Sequence, residues 1–458
     1  MFAVLKNSSI FFEKRILEFL KLFQAALCFF SLVFISNLSA KYDATEFTLK
    51  NGLQVIVVKK NTLPIVACYI GYKCGSLNDA ISKSGAAHYL EHMAFEIDHG
   101  RFDKFLESKG AERNAMTSFN FVIFYEILAK EHLEEVLKNE AVRMRAIDNI
   151  DDSSFASEKG AILEERSMTV DNKPSSLGIE NLLANLFNRD VISMIIGWKH
   201  EIANLLKQDL VDYHRRWFAP NNAVVVLVGD VDVTNARKLM DKYFSSIPAH
   251  EVPKVYEEVN RPEIFKEVVY GSPKNGSLFG VSYVYYVPYL YRKNYRKQIA
   301  LSMALEILNR SESFLKEMLQ SVLRTSHVTF SGEFNVFPFD MVIVSIDSGL
   351  NNETENSDLW KYTKYKIINQ GISKRELDEE KRSALIARAY KNDDISDIAS
   401  DIVMNIIQQR TLEEIQSQDD IIQSITVDEC NEALKDVFDS KEIAVMKIVP
   451  KGYDRDEE

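Results

Sequence analysis

The sequence predicts an α+β chain built of two halves with the same order of elements, and three observations carry that reading. The apolar run Ala223-Val224-Val225-Val226-Leu227-Val228 reads as a buried strand closing a series of strands and helices, and Glu442 to Val449 holds the same place in a second series. Between the two series, from Ile247 to Glu263, Pro248, Pro253 and Pro262 break a charged stretch that has no sustained period, the composition of a linker. With 46% hydrophobic residues among 458, the chain can fill more than one large core, which excludes a disordered protein.

The N-terminus stands apart from both halves. Lys14, Arg15 and Lys21 precede an apolar run, Leu22 to Ile35, and the small-residue stretch Ser36-Asn37-Leu38-Ser39-Ala40 follows. That is the order of a secretory signal peptide cut after Ala40, and it predicts an exported, periplasmic protein. The alternative is an uncleaved anchor, against which the run falls short of the ~20 residues a spanning helix needs. No later segment is apolar for that length, so no membrane span is expected in the mature protein. The expected boundaries are a signal peptide at 1–40, a first domain at 41–246, a linker at 247–266, a second domain at 267–450 and a tail at 451–458.

In the first half, Gly52 to Val58 and Ile65 to Ile70 are β-branched runs separated by turn residues and Pro64, and read as paired strands. Phe102 to Ser108, stopped by Gly110, and His132 to Ala146, with Leu133, Val136, Leu137, Ala141 and Met144 at helical spacing, read as helices. In the second half the expected elements are strands at Leu278 to Val287 and within Val328 to Ile346, a helix at Gln298 to Leu308, and helices from Lys374 to Phe438.

Charge and cysteines narrow the function. The net charge is -12 and Lys and Arg are scattered, so the basic footprint that nucleic acid requires is missing. Once Cys28 leaves with the signal, Cys68, Cys74 and Cys430 are an odd set with no zinc-ribbon or redox spacing. Buried free thiols are the simpler expectation, a single disulfide the alternative.

The chemistry lies in Ser84-Gly85-Ala86-Ala87-His88-Tyr89-Leu90-Glu91-His92-Met93-Ala94-Phe95, in which the residues around the polar trio favour a helix. Four residues apart, His88 and His92 share a helix face with Glu91 beside them. Two imidazoles so spaced suit zinc at about 2.0 Å, with a carboxylate and a water completing a tetrahedron. Glu91 then stands by the zinc-bound water as general base for peptide hydrolysis. A helix with two surface histidines and a salt-bridging glutamate is the competing reading, but His-x-x-Glu-His is the inverted zincin pattern. The third ligand is expected in Glu158 to Arg166, where Glu158 and Glu165 lie two turns apart on one face. Glu165 would bind the metal and Glu158 support a ligand from behind it. Spacing alone hardly separates Glu165 from Glu164.

These residues resemble the pitrilysin family, which includes insulin-degrading enzyme and the mitochondrial processing peptidase, and especially its shorter bacterial members. The likeness runs through most of residues 45 to 450: Asn51-Gly52-Leu53, Gly85 to Phe95, Asn114-Ala115-Met116-Thr117-Ser118, Glu158 to Glu165, Ile196-Gly197-Trp198 and Pro220-Asn221-Asn222-Ala223 occur in the family's order. The resemblance selects Glu165 as ligand and Glu158 as its support. It implies one zinc ion per chain and two homologous α/β-sandwich halves forming a clamshell around a central cleft. It also implies that Asn114 and Ala115 lie on a strand edge where an extended peptide adds. Short or unfolded peptides are then the substrates of a zinc endopeptidase. Arg324 fits the family's substrate-binding arginine, but no tyrosine stands seven residues after it. A non-catalytic or partner-dependent subunit of a heteromeric processing peptidase is therefore the alternative, and a homodimer or a heterodimer with a related chain is the expected assembly. His200 is expected at the surface.

Overall fold

A strand of seven residues with no polar side chain needs cover on both faces and partners on both edges, and that requirement organises the first half. The structure, a computed structural model, describes residues 42–145, 147, 150–187, 193–253, 266–271, 279–288, 290–310, 327–335, 340–348 and 353–449. The leader, Arg324 and the tail 451–458 lie outside the described residues, as does most of the expected linker.

Six strands form the first sheet: β1 (Ala44–Thr48), β2 (Gln54–Lys59), β3 (Ile65–Tyr72), β4 (Glu112–Thr117), β5 (Val122–Ala129) and β6 (Ala223–Gly229). Their order is β1-β2-β6-β3-β5-β4, with β2 and β6 parallel and every other pair antiparallel. The expected pairing of β2 with β3 is therefore corrected, because β6 lies between them. The five-residue connection favours a local hairpin, but fully buried β6 requires two neighbours, and it takes β2 on one side and β3 on the other.

The second sheet comprises β7 (Lys266–Gly271), β8 (Phe279–Val287), β9 (His327–Glu333), β10 (Asp340–Ser348) and β11 (Ala444–Val449), in the order β7-β11-β8-β10-β9. The pair β7-β11 is parallel, as β2-β6 is, and the rest are antiparallel, so the order β2-β6-β3-β5-β4 recurs strand for strand. The chain is thus an α+β protein of two domains, each a mixed sheet with helices.

Helices α1 (Ala86–Phe95), α2 (Arg101–Ser108), α3 (Leu133–Arg145), α4 (Asp152–Arg166), α5 (Pro174–Phe187), α6 (Lys207–Trp217) and α7 (Val233–Phe244) belong to the first half. The second contains α8 (Tyr295–Asn309), α9 (Glu353–Gln370), α10 (Lys374–Lys391), α11 (Ile395–Ile407) and α12 (Val427–Phe438), besides shorter turns of helix. The strands β1, β5 and β7 and the helices α5, α6, α7 and α9 had no counterpart in the sequence reading.

Alternation along β6 shows how both faces are covered. Ala223, Val225 and Leu227 join Leu90, Val136 and Met240 in one core, whereas Val224, Val226 and Val228 pack with Ile398, Ile402 and Val403 of α11, a helix from the second half. The exchange is reciprocal: Leu182 and Leu183 of α5 pack with Val284, Met341 and Met446 of the second sheet. Cys68, Cys74 and Cys430 are buried and free. Among the described residues no helix is long and apolar enough to cross a membrane.

Candidate metal centre

The helix that carries the motif starts at a crowded place. Gly85, its N-cap, has φ 90° and faces Gly197, φ 95°; a Cβ on Gly197 would stand 2.5 Å from the Ser84 carbonyl oxygen, so neither position has room for a side chain. That contact accounts physically for the Ile196-Gly197-Trp198 landmark. The Asp79 carboxylate accepts from Gly85 N at 2.8 Å and Ala87 N at 2.9 Å, taking up donors that the first helical turn leaves free. Burial pushes its pKa up to about 7, against the hydrogen bonds from Ser193 and these amides.

Along α1, His88 and His92 stack edge to face with ring centroids 4.7 Å apart. Each Nε2 lies 3.7 Å from Oε2 of Glu165 on α4. One ligand atom from each of the three residues lies within 4.8 Å of the others. Two atoms about 2 Å from one tetrahedral ion stand roughly 3.3 Å apart, so each imidazole-to-carboxylate distance of 3.7 Å is within about half an ångström of that spacing. The donor chemistry fits as well. His92 Nδ1 is 2.9 Å from Glu158 Oε2, which fixes the tautomer and leaves Nε2 free for a metal. Burial, with the neighbouring His92 adding to it, lowers the pKa of His88 to about 3 and keeps its imidazole neutral. Of the two glutamates that spacing could hardly separate, Glu165 turns to the imidazoles.

Glu91 is buried one position from His92. Its Oε2 accepts from Thr117 Oγ1 at 2.6 Å. Burial raises its pKa and the Glu165 carboxylate adds to the rise, while the Thr117 hydroxyl and His92 oppose it. Thr117 ends β4, the edge strand of the first sheet, so the strand that borders the site also holds this carboxylate.

On that edge, Asn114 is exposed, and its own Oδ1 accepts from the backbone N–H of Ala115 at 2.9 Å. The Ala115 amide thus faces away from β5, where a further strand would lie. A cavity of about 680 Å³ joins Ala115, Met116 and Thr117 to His88, Glu91, His92 and Glu165, and its opposite wall includes Glu333 and Ile343 of the second half. His200 is exposed, as expected. Thr117, Asp79 and the ion pair between Arg166 and Glu180 were not found from sequence; only Thr117 carried a signal there, as part of the Asn114 to Ser118 landmark.

The fold and the triad define the class: a two-domain α+β protein with a His-His-Glu group that could hold a metal ion, on the His-x-x-Glu-His pattern of zinc peptidases. A family model described as insulinase (peptidase family M16) matches residues 54–196, and one described as the peptidase M16 inactive domain matches residues 204–384. The chain belongs to the M16 peptidase, or insulinase, family. All three triad residues fall in the first match. The zinc protease PqqE of Helicobacter pylori is 27% identical over 408 residues, 83% of this chain and 90% of that one. A probable mitochondrial-processing peptidase subunit beta of Schizosaccharomyces pombe is 27% identical over 44% of each chain. The fold is that of a protease from Helicobacter pylori, with a TM-score of 0.78 at 24% identity over 90% of this chain and all of that one. It is also that of the periplasmic protease PqqL of Escherichia coli, TM-score 0.70 at 20% identity, of which this chain covers 48%.

Proposed function

We propose that the chain is a zinc-dependent endopeptidase that hydrolyses short or unfolded peptides, with zinc held by His88, His92 and Glu165. The observation that carries the proposal is the convergence of two imidazole Nε2 atoms and one carboxylate oxygen, with Glu158 setting the tautomer of His92. Bound zinc supplies a Lewis acid and makes a nearby water acidic enough to lose its proton near neutral pH.

The remaining work falls to side chains. Glu91, whose pKa burial has raised, takes that proton and returns it to the leaving amine. Thr117 Oγ1 donates to one oxygen of Glu91, whose side chain lines the cavity. An extended peptide adds along β4, its carbonyl replacing Asn114 Oδ1 on the Ala115 amide. A cavity of about 680 Å³ takes a few residues and no folded domain, which supports peptides as substrates.

The domain limits proposed are 41–246 and 267–450, joined by 247–266 and followed by a tail at 451–458. Arg324 is proposed to bind the substrate carbonyl. Export to the periplasm is proposed on the leader pattern of residues 1–40, and a periplasmic relative of the same fold supports it. A second reading, a homodimer or a heterodimer with a related chain that completes the site, is favoured by one observation: PqqL, of which this chain covers 48%, is about twice as long.

The test is zinc content and hydrolysis of a peptide mixture by the purified chain, alone and with any co-purifying partner. Glu91→Gln retains zinc and loses most turnover, whereas His88→Ala loses the metal itself. Wild-type cleavage by either variant would remove the roles assigned. Turnover only with a second chain present would establish the partner-dependent reading.

A further inference from the structure

The Glu165 carboxylate is the least supported member of the triad. Among the described residues no donor gives it a hydrogen bond, whereas His92 is gripped by Glu158. Its aim is therefore set by its backbone, the last turn of α4. Beyond that turn the chain opens into a wide π turn at Ser167–Asp171, an uncommon conformation that holds only where something fixes it. Thr169 Oγ1 donates to the Glu165 carbonyl oxygen at 2.8 Å from within that turn.

What fixes the turn is the next residue. Arg166 is buried, and its guanidinium donates to both carboxylate oxygens of Glu180 on α5, at 2.8 and 2.9 Å. The same nitrogen that meets Glu180 Oε1 donates to the Gly197 carbonyl oxygen at 2.5 Å, and Nε lies 3.1 Å from Asp171 Oδ1 at the far end of the π turn. Gly197 is the residue packed against Gly85 at the start of α1. One side chain thus joins the helix of the third ligand, the loop seated on the helix of the two histidines, and α5, whose other face packs with the second sheet.

We propose that Arg166 is a positioning residue: it holds Glu165 at the metal by fixing the α4 terminus to the Gly197 loop and to α5. The proposal rests on the zinc reading above. The planar fork of arginine suits this task, because bidentate pairing with Glu180 constrains orientation as well as distance.

The experiment measures zinc affinity of the metal-stripped full chain by competition with a chromophoric chelator, and the visible absorption bands of the Co²⁺-substituted protein. The variants are His88→Ala and the double variant Arg166→Met/Glu180→Gln, which removes both charges together so that no buried carboxylate is left unpaired. The double variant should bind zinc about 10- to 100-fold more weakly, the range for residues that orient a ligand, with shifted Co²⁺ bands and unchanged circular dichroism. Wild-type affinity and bands in the folded double variant, while His88→Ala loses the metal, would overturn the role of Arg166 and leave the zinc reading standing. Undiminished zinc binding by His88→Ala would instead remove the zinc reading. If the double variant does not fold, Glu180→Gln carries the comparison, and unchanged affinity in it overturns the role.

Discussion

Tyr69 of β3 and Ser396 of α11 share a hydrogen bond of 2.7 Å although 327 residues separate them in the chain. Lys60 Nζ reaches the Asn392 carbonyl oxygen at 2.5 Å beside them. These polar contacts border a core in which Ile398, Ile402, Val403 and Ile406 lie on the face of the first sheet that its own helices leave bare. With α5 packed in return on the second sheet, neither half has a complete core of its own.

Truncating the exchanged helix should therefore weaken both halves. Ile402 is fully buried, and Ile402→Ala should cost about 2–5 kcal/mol, the usual loss for a large-to-small core change. Hydrogen exchange supplies the measurement: amides of β6 and of β11 should lose protection together. Acceleration confined to β11 would show that the halves open independently.

What could be read from sequence follows from how local each interaction is. The His88–Glu91–His92 arrangement depends only on the pitch of one helix, and it was legible. Glu165 lies on another helix, and choosing it over Glu164 took the family resemblance. The placement of β6 between β2 and β3 depends on a strand some 150 residues downstream, beyond the reach of a hairpin rule. The exchange of α5 and α11 was not legible, because an apolar helix face does not say which sheet it covers. Helix α9 had no counterpart in the sequence because its buried stripe, Trp360, Thr363 and Ile367, follows the helical period but is interrupted by a polar residue, so no apolar repeat marks it.

The contact between His92 and Glu158 predicts a metal effect without loss of a ligand. Glu158→Ala leaves His88, His92 and Glu165 in place but frees the His92 ring to turn and to change tautomer. Zinc affinity should fall about 10- to 100-fold, measured by chelator competition on the folded variant. Wild-type affinity would show that Glu158 does not orient His92.

Thr117 predicts a shift in the pH profile with a definite sign. Its hydroxyl donates to the ionised Glu91 carboxylate and so lowers a pKa that burial raises. Thr117→Val removes the donor at nearly constant volume, and the pKa of Glu91 should rise. Because hydrolysis needs the ionised form, the acidic limb of kcat/KM should move to higher pH while zinc content stays constant. A limb that stayed in place or moved to lower pH would separate Thr117 from the proton transfer.

Glu429 predicts how stability falls in acid. Its carboxylate accepts from Arg296 Nε at 2.6 Å and Nη2 at 3.0 Å, and closes a capping box with Thr426 at the start of α12. The Arg296 hydrogen bond, ahead of the Thr426 contacts, pulls its pKa from 4.5 down to about 2. Between those two values the unfolded chain takes up a proton that the folded chain refuses. The contribution is therefore complete above pH 4.5 and is lost as the pH falls towards 2. The pair is partly exposed, so salt should reduce the effect. Glu429→Gln should be less stable than the wild type at pH 7, and urea midpoints of the two proteins should converge as the pH is lowered through this window. Equal midpoints at pH 7, or a gap that widens on acidification, would contradict the assignment.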